Sequence, residues 1–252
     1  MQPSAPIRLA ETDSMRIGTA GWSIPSAAST LAPGEGTHLE RYARRLTCAE
    51  INSSFHRSHR PAVYAKWASQ TPPEFRFAVK LPKTITHQQR LRRARAPLEQ
   101  FLHESSALGN KRGPLLVQLP PSLEFERRPA AAFFALLRAR VDGAVVCEAR
   151  HASWLSAAAD RLLVDHQVSR VAADPAYAPG LDRPGGWDGL VYLRLHGAPR
   201  TYWSLYDHER LAAYAESLRQ SNAPERWCVF DNTASGAAFV NACELRALMA
   251  PP

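Results

Sequence analysis

The stretch LVYLRLHG, residues 190–197, alternates without a break. Val191, Leu193 and Leu195 form an apolar row, and Tyr192, Arg194 and His196 form the other. Successive side chains of a strand point to opposite faces, so the apolar row packs under helices and the second row faces an interior. That interior row carries two ionisable groups at the strand's C-terminal end. GAVVCEAR (Gly143–Arg150) repeats the pattern, with Val145, Cys147 and Ala149 outward and Glu148 and Arg150 inward.

Working outward, six more strand-like runs alternate with helical ones. Upstream they are RIGTAGW (from Arg16), CAEINSSF (Cys48–Phe55), FRFAVKLP (Phe75–Pro82) and GPLLVQLPP (Gly113–Pro121). SRVAADPA (Ser169–Ala176) and RWCVFDNT (Arg226–Thr233) complete the set. Between them lie amphipathic segments such as HLERYARRL, where Leu39, Tyr42, Ala43 and Leu46 share a helical face. A segment opening on Pro61 has the residue favoured at the first helical position, and Gly109 suits the end of a helix over 96–108. Tyr177–Gly189 is rich in Pro and Gly and predicts no helix. Eight strands with crossover helices, the sixth crossover irregular, predict a single (β/α)8 TIM-type barrel over 16–250. An open doubly wound sheet is the rival, but GTAGW is a poor phosphate turn.

The same parity reading places Lys80, Gln118, Glu50, Asn52, Ser54 and Asp174 inside, with Ile51 and Phe55 outside. On the eighth strand either Asp231 or Asn232 is the inward group. The polar set falls at the C-terminal strand ends, where barrel enzymes keep their sites. A barrel needing only stability would carry Val, Ile and Leu there, since each unpaired buried ion costs several kcal/mol. An internal ion-pair network, such as Glu148–Arg194 or Glu50–Lys80, is the structural alternative.

Composition bounds the rest. The formal net charge of +8 suits anionic partners, but of 31 basic residues only Lys66, Lys80, Lys83 and Lys111 are lysine, so arginine number reflects composition. No apolar run approaches the ~20 residues of a membrane span. Residues 1–15 read as a flexible arm without a secretory h-region. Cys48, Cys147, Cys228 and Cys243 lack metal or redox spacing and read as reduced, which implies the cytoplasm.

IGTAGW, AEINSSFHR, FRFAVKLPKTITH, LGNKRGPLLVQLPP, CEARHASW, YLRLHG and VFDNTASGAAFVNA run in order from Ile17 to Ala242. This string resembles the YecE-like family, a domain of unknown function. The resemblance implies a TIM-type barrel and supplies no reaction. FHRSHRP and FDNT depart from the family's usual FYR-x-P and Asn-Asn pair.

Lys80, Glu148 and His196 are the candidate catalytic groups: a buried amine, a carboxylate beside a guanidinium, and an acid–base imidazole. Asn52, His87, Gln118, Arg150, Trp154, Asp174, Arg194 and Asp231 or Asn232 are candidate substrate contacts, with Lys80 and Arg194 as the anion clamp. Trp154 either stacks on a substrate or packs under its loop. Thr233, Ser235 and Gly236, before the last helix, suit a phosphate or an ordinary helix cap. Tyr202, Trp203 and Tyr206 suit a lid. The leading expectation is a cofactor-free hydrolase or lyase/isomerase-type acid–base enzyme acting on a small anion, with no membrane partner.

A second reading is a metal-dependent phosphodiesterase on nucleic acid. Glu148, Asp174, His196 and Asp231 would hold a divalent metal, and a rim of His56, Arg57, His59, Arg60, Arg90, Arg92, Arg93 and Arg95 would track the phosphates. A third is a non-catalytic binding barrel.

Overall fold

The structure is a computed structural model and describes residues 14–250. In chain order the elements are β1 (Ser14–Ala20), α1 (His38–Ala43), β2 (Cys48–Ile51), α2 (Ser53–His56), α3 (Pro61–Ser69), β3 (Arg76–Lys80), α4 (Arg95–Ser105), β4 (Arg112–Gln118), α5 (Arg127–Arg138) and β5 (Val145–Glu148). Then come α6 (Ala157–Asp165), β6 (Val168–Arg170), β7 (Ala172–Asp174), β8 (Gly185–Gly186), β9 (Leu190–Leu195), α7 (His208–Gln220), β10 (Glu225–Phe230) and α8 (Ala237–Leu248).

All ten strands share one sheet, ordered β7-β9-β10-β1-β2-β3-β4-β5-β6-β8. Every pairing is parallel except β6 with β8. Val171 separates β6, which pairs with β5, from β7, which pairs with β9. The sixth predicted strand is thus two short pieces, and through them the sheet comes back nearly onto itself. The fold is mixed α/β with a nearly closed, barrel-like sheet.

Alternation sorts the buried residues into two sets. Cys48, Ala78, Leu116, Val146, Val171, Tyr192, Trp227 and Val229 pack together inside the sheet. Phe77, Val79, Leu115, Val117, Val145, Cys147, Leu193, Leu195, Cys228 and Phe230 pack outward against the helices. Trp227 and Tyr192 are parallel rings 5.9 Å apart and form the interior's largest apolar layer. Gly113 on β4 makes room for it, since a Cβ there would stand 2.8 Å from the Trp227 ring.

Helix ends follow their local signals. Pro61 opens α3, and Thr37 with Glu40 forms a capping box on α1. The helix predicted over 96–108 closes its last α-turn at Ser105, and a 3-10 turn over Ser106–Lys111 carries the chain on.

Three readings are corrected. The second strand ends at Ile51, where Asn52 and two serines turn the chain into α2, so alternation stops there and Phe55 does not point outward. Asp174 does not face the interior: Val171 does, so Ala172 and Asp174 take the opposite parity. The arm read over 1–15 lies outside the described residues except for Ser14 and Met15, which already pair with Glu225 and Arg226 in β1. Between β7 and β9 no helix forms, as the Pro/Gly content predicts; the short β8 lies there instead.

Gly18 on β1 sits where a Cβ would come within 2.0 Å of the Cys48 carbonyl oxygen on the paired β2. Relief requires moving backbone, because no side chain can swing away. Gly18→Ala should therefore lower urea-unfolding stability by about 1–3 kcal/mol or more, whereas an overpacking-tolerant sheet would leave the midpoint unchanged.

Candidate functional site

Each inward polar group sits on, or within two residues past, a strand's C-terminal end. Lys80, Gln118 and Glu148 are the last residues of β3, β4 and β5. Arg194 is the penultimate residue of β9, while His196 and Asp231 follow β9 and β10 directly. Parallel strands in register bring these ends to one place.

Arg194 is the hub, with no exposed surface. Its Nη2 donates to Glu50 Oε1 at 2.7 Å and pairs with Asp231 Oδ2 at 3.0 Å, and its Nη1 donates to Glu148 Oε2 at 3.0 Å. One guanidinium thus ties carboxylates from β2, β5 and the end of β10. Tyr192 Oη donates to Glu50 Oε2 at 2.9 Å and Gln118 Nε2 to Glu148 Oε2 at 3.0 Å. Arg150 Nε and Nη2 each reach Glu148 Oε1 at 2.9 Å. Burial opposes charge on Glu148, but Arg150, Arg194 and His196 outweigh it and hold the carboxyl well below its usual range.

His196 lies between two of these carboxylates. Nε2 is 3.1 Å from Glu148 Oε1 and Nδ1 is 3.1 Å from Asp231 Oδ2. A neutral imidazole has one N–H, and both contacts become hydrogen bonds when both nitrogens carry a proton. Burial disfavours that charge, but Glu148 and the bonds to Asp231 and Glu148 raise the pKa above its ordinary value. Asp231 is pushed the other way: burial raises it, and Arg194 and His196 more than reverse that. The eighth strand's ambiguity is resolved in favour of Asp231. Asn232 instead donates from Nδ2 to Ser204 O and Asn241 Oδ1, tying the β10 loop to α8.

Lys80 is buried beside this network and outside it. Its Nζ lies 4.2 Å from the Phe55 ring centroid and makes no hydrogen bond or ion pair with any described residue. Burial first, then the positive Arg194, lower its pKa from 10.5 to about 8. Phe55 also meets the His87 ring edge-on at 4.9 Å. His87 is lowered to about 4 by burial and by the charges of Lys80 and Arg150. Asn52 caps the rim, with Nδ2 3.5 Å from Asp231 Oδ1 and its own Oδ1 buried without a partner.

Tyr177 and Tyr202 cover the outer side. The Arg150 guanidinium stands 4.7 Å over the Tyr177 ring, and Tyr202 meets His196 edge-on at 5.4 Å. Both tyrosines remain largely exposed, at 50% and 39%. Of the lid read over residues 202–206, Tyr202 covers the centre. Tyr206 is buried, with its hydroxyl donating to Asp174 O.

Other sequence candidates fall elsewhere. Asp174 accepts from Arg210 at 2.8 Å and Tyr214 at 2.6 Å on α7, on the helix side of the sheet. Trp154 is buried, donates to Leu123 O at 3.0 Å and packs on Phe125, so it lies under its loop. Thr233, Ser235 and Gly236 are not brought into the cluster. The amides of Gly236, Ala237 and Ala238 are taken by Thr233 O, Ser235 Oγ and Asn232 O. On the rim, Arg92 and Arg95 pair with Glu126 and Glu99, and His59 is buried against Tyr64 and Trp67. Among the described residues no group of three His, Cys, Asp or Glu is arranged to hold a metal ion. The four-ligand reading fails at Asp174, and both His196 nitrogens are committed to carboxylates.

Sequence reasoning missed Phe55 and Tyr177. The run Asn52-Ser53-Ser54, rich in helix-capping types, was the available sign that the strand stops before Phe55. Tyr177 sits in the Pro/Gly-rich connection, and local sequence carries no mark of where such a loop returns.

Together these features define an α/β barrel-like protein with a buried charged centre at the C-terminal ends of its strands. The chain belongs to the DUF72 family: the model for "Protein of unknown function DUF72" matches residues 16–252. It is 37% identical over 118 residues to the UPF0759 protein YecE of Escherichia coli strains K12 and O157:H7. That match covers 47% of this chain and 42% of those relatives, less than half of their length. A DUF72 family protein from Thermotoga maritima MSB8 superposes with a TM-score of 0.77 at 22% identity, covering 93% of this chain and 98% of that one. One from Enterococcus faecalis V583 gives 0.76 at 21%, covering 94% and 95%. At these identities the structures share the fold.

The geometry separates two kinds of charge. Arg194→Met would strand three buried carboxylates and should lose about 3–5 kcal/mol in urea unfolding. Lys80→Met strands nothing. With a folded pKa of about 8, below the ordinary 10.5, the unfolded chain binds more protons between those values, so parental stability rises with pH there. The variant should therefore be more stable than the parent at pH 7, by about 1–3 kcal/mol, with the gain gone by about pH 10.5. A large loss for Lys80→Met would make that amine part of the scaffold.

Proposed function

We propose that the sheet is a (β/α)8 TIM-type barrel, forming one domain from β1 to α8 in a cytoplasmic protein. We further propose an enzyme that binds a small carboxylate- or phosphate-bearing substrate at the mouth and moves protons there. The observation that carries this reading is that the Lys80 amine, buried at the centre, contacts none of its carboxylates among the described residues. Three carboxylates (Glu50, Glu148 and Asp231) face two guanidiniums, the His196 imidazolium and the Lys80 amine. When His196 is protonated the centre is balanced without Lys80, and the Lys80 ammonium adds a cation that no carboxylate of the described residues contacts. An entering anion supplies the missing charge.

The roles follow from who is free. Arg194 is enclosed and spent on three carboxylates, so it positions Glu148 and Asp231 rather than clamping substrate. Arg150 meets the tyrosine hydroxyls through long contacts of 3.4 Å, which an anion can replace, and with Lys80 it forms the anion clamp. Glu148, His196 and Asp231 form a proton-holding chain in which Asp231, at 7% exposure, is the least enclosed member. Asn52 Oδ1, lacking a partner, accepts from a substrate donor, and Gln118 orients Glu148. Tyr177 and Tyr202 move aside to admit the ligand.

Thermal unfolding against phosphate, oxalate, malate and pyruvate, each matched to chloride at equal ionic strength, tests this. A ligand at about a hundred times its Kd adds roughly 2.7 kcal/mol, so at least one of these anions should raise the Tm of the parent. Arg150→Gln should remove that rise. No rise beyond chloride with any of the four would sink the anion-site reading.

A further inference from the structure

We propose that Lys80 is a nucleophile that condenses with the carbonyl carbon of an anionic oxo acid or aldehyde, holding it as an iminium. This rests on the anion-site reading above and names its substrate class.

A buried ammonium has three donors and is costly to leave unpaired. Three carboxylates belong to the same centre, yet each is saturated by Arg194, Arg150, His196, Tyr192 or Gln118. Lys80 instead rests against the Phe55 ring. A lysine kept to neutralise the centre would sit on a carboxylate. Burial and the nearby Arg194 cation make its free amine easier to reach, outweighing the pull of the Phe55 ring face on the charged form, and that is the environment that makes a lysine nucleophilic. Its position is fixed by backbone: the Lys80 carbonyl accepts from Ser54 Oγ at 2.7 Å, locking the end of β3 to α2, which carries Phe55.

The other lysines show the contrast. Lys111 donates to Ala68 O and Thr71 O at the far side of α3, and Lys66 and Lys83 are exposed. None of them combines burial with the lack of a partner.

The step balances within the centre. The neutral Nζ lone pair attacks the carbonyl carbon, and the carbonyl π pair moves to oxygen. That oxygen takes a proton delivered from the His196 imidazolium through Asp231, to which it is hydrogen bonded. The amine proton lost on C–N bond formation returns along the same path. A second proton, the one that Lys80 released to solvent at the mouth on becoming neutral, enters by the same path and lets the hydroxyl leave as water while the nitrogen lone pair closes the C=N bond. Ammonium plus carbonyl become iminium plus water, with charge conserved and no redox partner. The substrate's carboxylate or phosphate lies against Arg150, and the iminium keeps the positive charge that Lys80 brought.

The test is reductive trapping. The full chain is incubated with glyoxylate or pyruvate and sodium cyanoborohydride near pH 7.5, digested, and its modified lysines mapped by mass spectrometry. With four lysines in the chain, the other three serve as internal references. Lys80 should be labelled at least about tenfold faster than Lys66 or Lys83, since a lower pKa exposes more free amine at that pH. Excess phosphate should slow labelling at Lys80 and leave the others unchanged. Lys80→Arg, which keeps the charge, and Lys80→Met should both lose the fast adduct. Labelling spread evenly over the lysines, or absent from Lys80, overturns the proposal. If any of phosphate, oxalate, malate and pyruvate still raises the Tm in that case, the anion-site reading survives without the iminium; if none of the four does, both fail.

Discussion

The Arg194 guanidinium, enclosed by the barrel, is the constraint on which the rest of the centre depends. It reaches Glu50, Glu148 and Asp231, which enter from different parts of the sheet. Removing a guanidinium from water costs several kcal/mol, and so does removing each carboxylate. The cost is met because nearly every donor and acceptor finds a partner of opposite charge at 2.7–3.0 Å. The same contacts set the register of side chains above them, since Glu148 and Asp231 in turn hold the two nitrogens of His196.

Beneath this layer the interior is apolar, closed by Trp227 and Tyr192. Tyr192 joins the two regimes, its ring stacked on Trp227 and its hydroxyl on Glu50. Above it the polarity is left unfinished. Among the described residues Lys80 Nζ has no hydrogen-bond or ion-pair partner and Asn52 Oδ1 no donor, and Arg150 is held to its tyrosines by long contacts. The centre therefore grades from satisfied to unsatisfied along the barrel axis, a gradient that a purely structural ion-pair network has no reason to keep. Under the proposed function, scaffold and active centre are consecutive layers of one network: Arg194 and Glu50 belong to the first, Lys80 and Arg150 to the second.

Burial moves His196 and Lys80 by different routes. His196 lies between two carboxylates, and their field and hydrogen bonds overcome desolvation, so its pKa is raised above the ordinary value. Lys80 has no carboxylate in contact, so desolvation wins and the amine is lowered to about 8. Two bases whose ordinary values differ by several units are thereby drawn toward one another. That is the condition for passing protons between them near neutral pH.

The sequence by itself determined the strands, their inward parity and most of the centre. Glu50, Lys80, Gln118, Glu148, Arg150, Arg194 and His196 were all legible, because alternation in a parallel strand is a local property that one apolar row suffices to phase. Reading failed where the strand stopped being a strand. Phe55 lies beyond the turn into α2, and Asp174 lies beyond the break at Val171, so in both cases parity was carried past the point where it applies. The choice between Asp231 and Asn232 needed the register of β10 against β9. Which carboxylate pairs with which cation, and hence that Arg194 is consumed while Lys80 is left over, was decided by tertiary structure alone. Glu50 and Arg194 are 144 residues apart, and no local pattern encodes which of three carboxylates a buried guanidinium will reach.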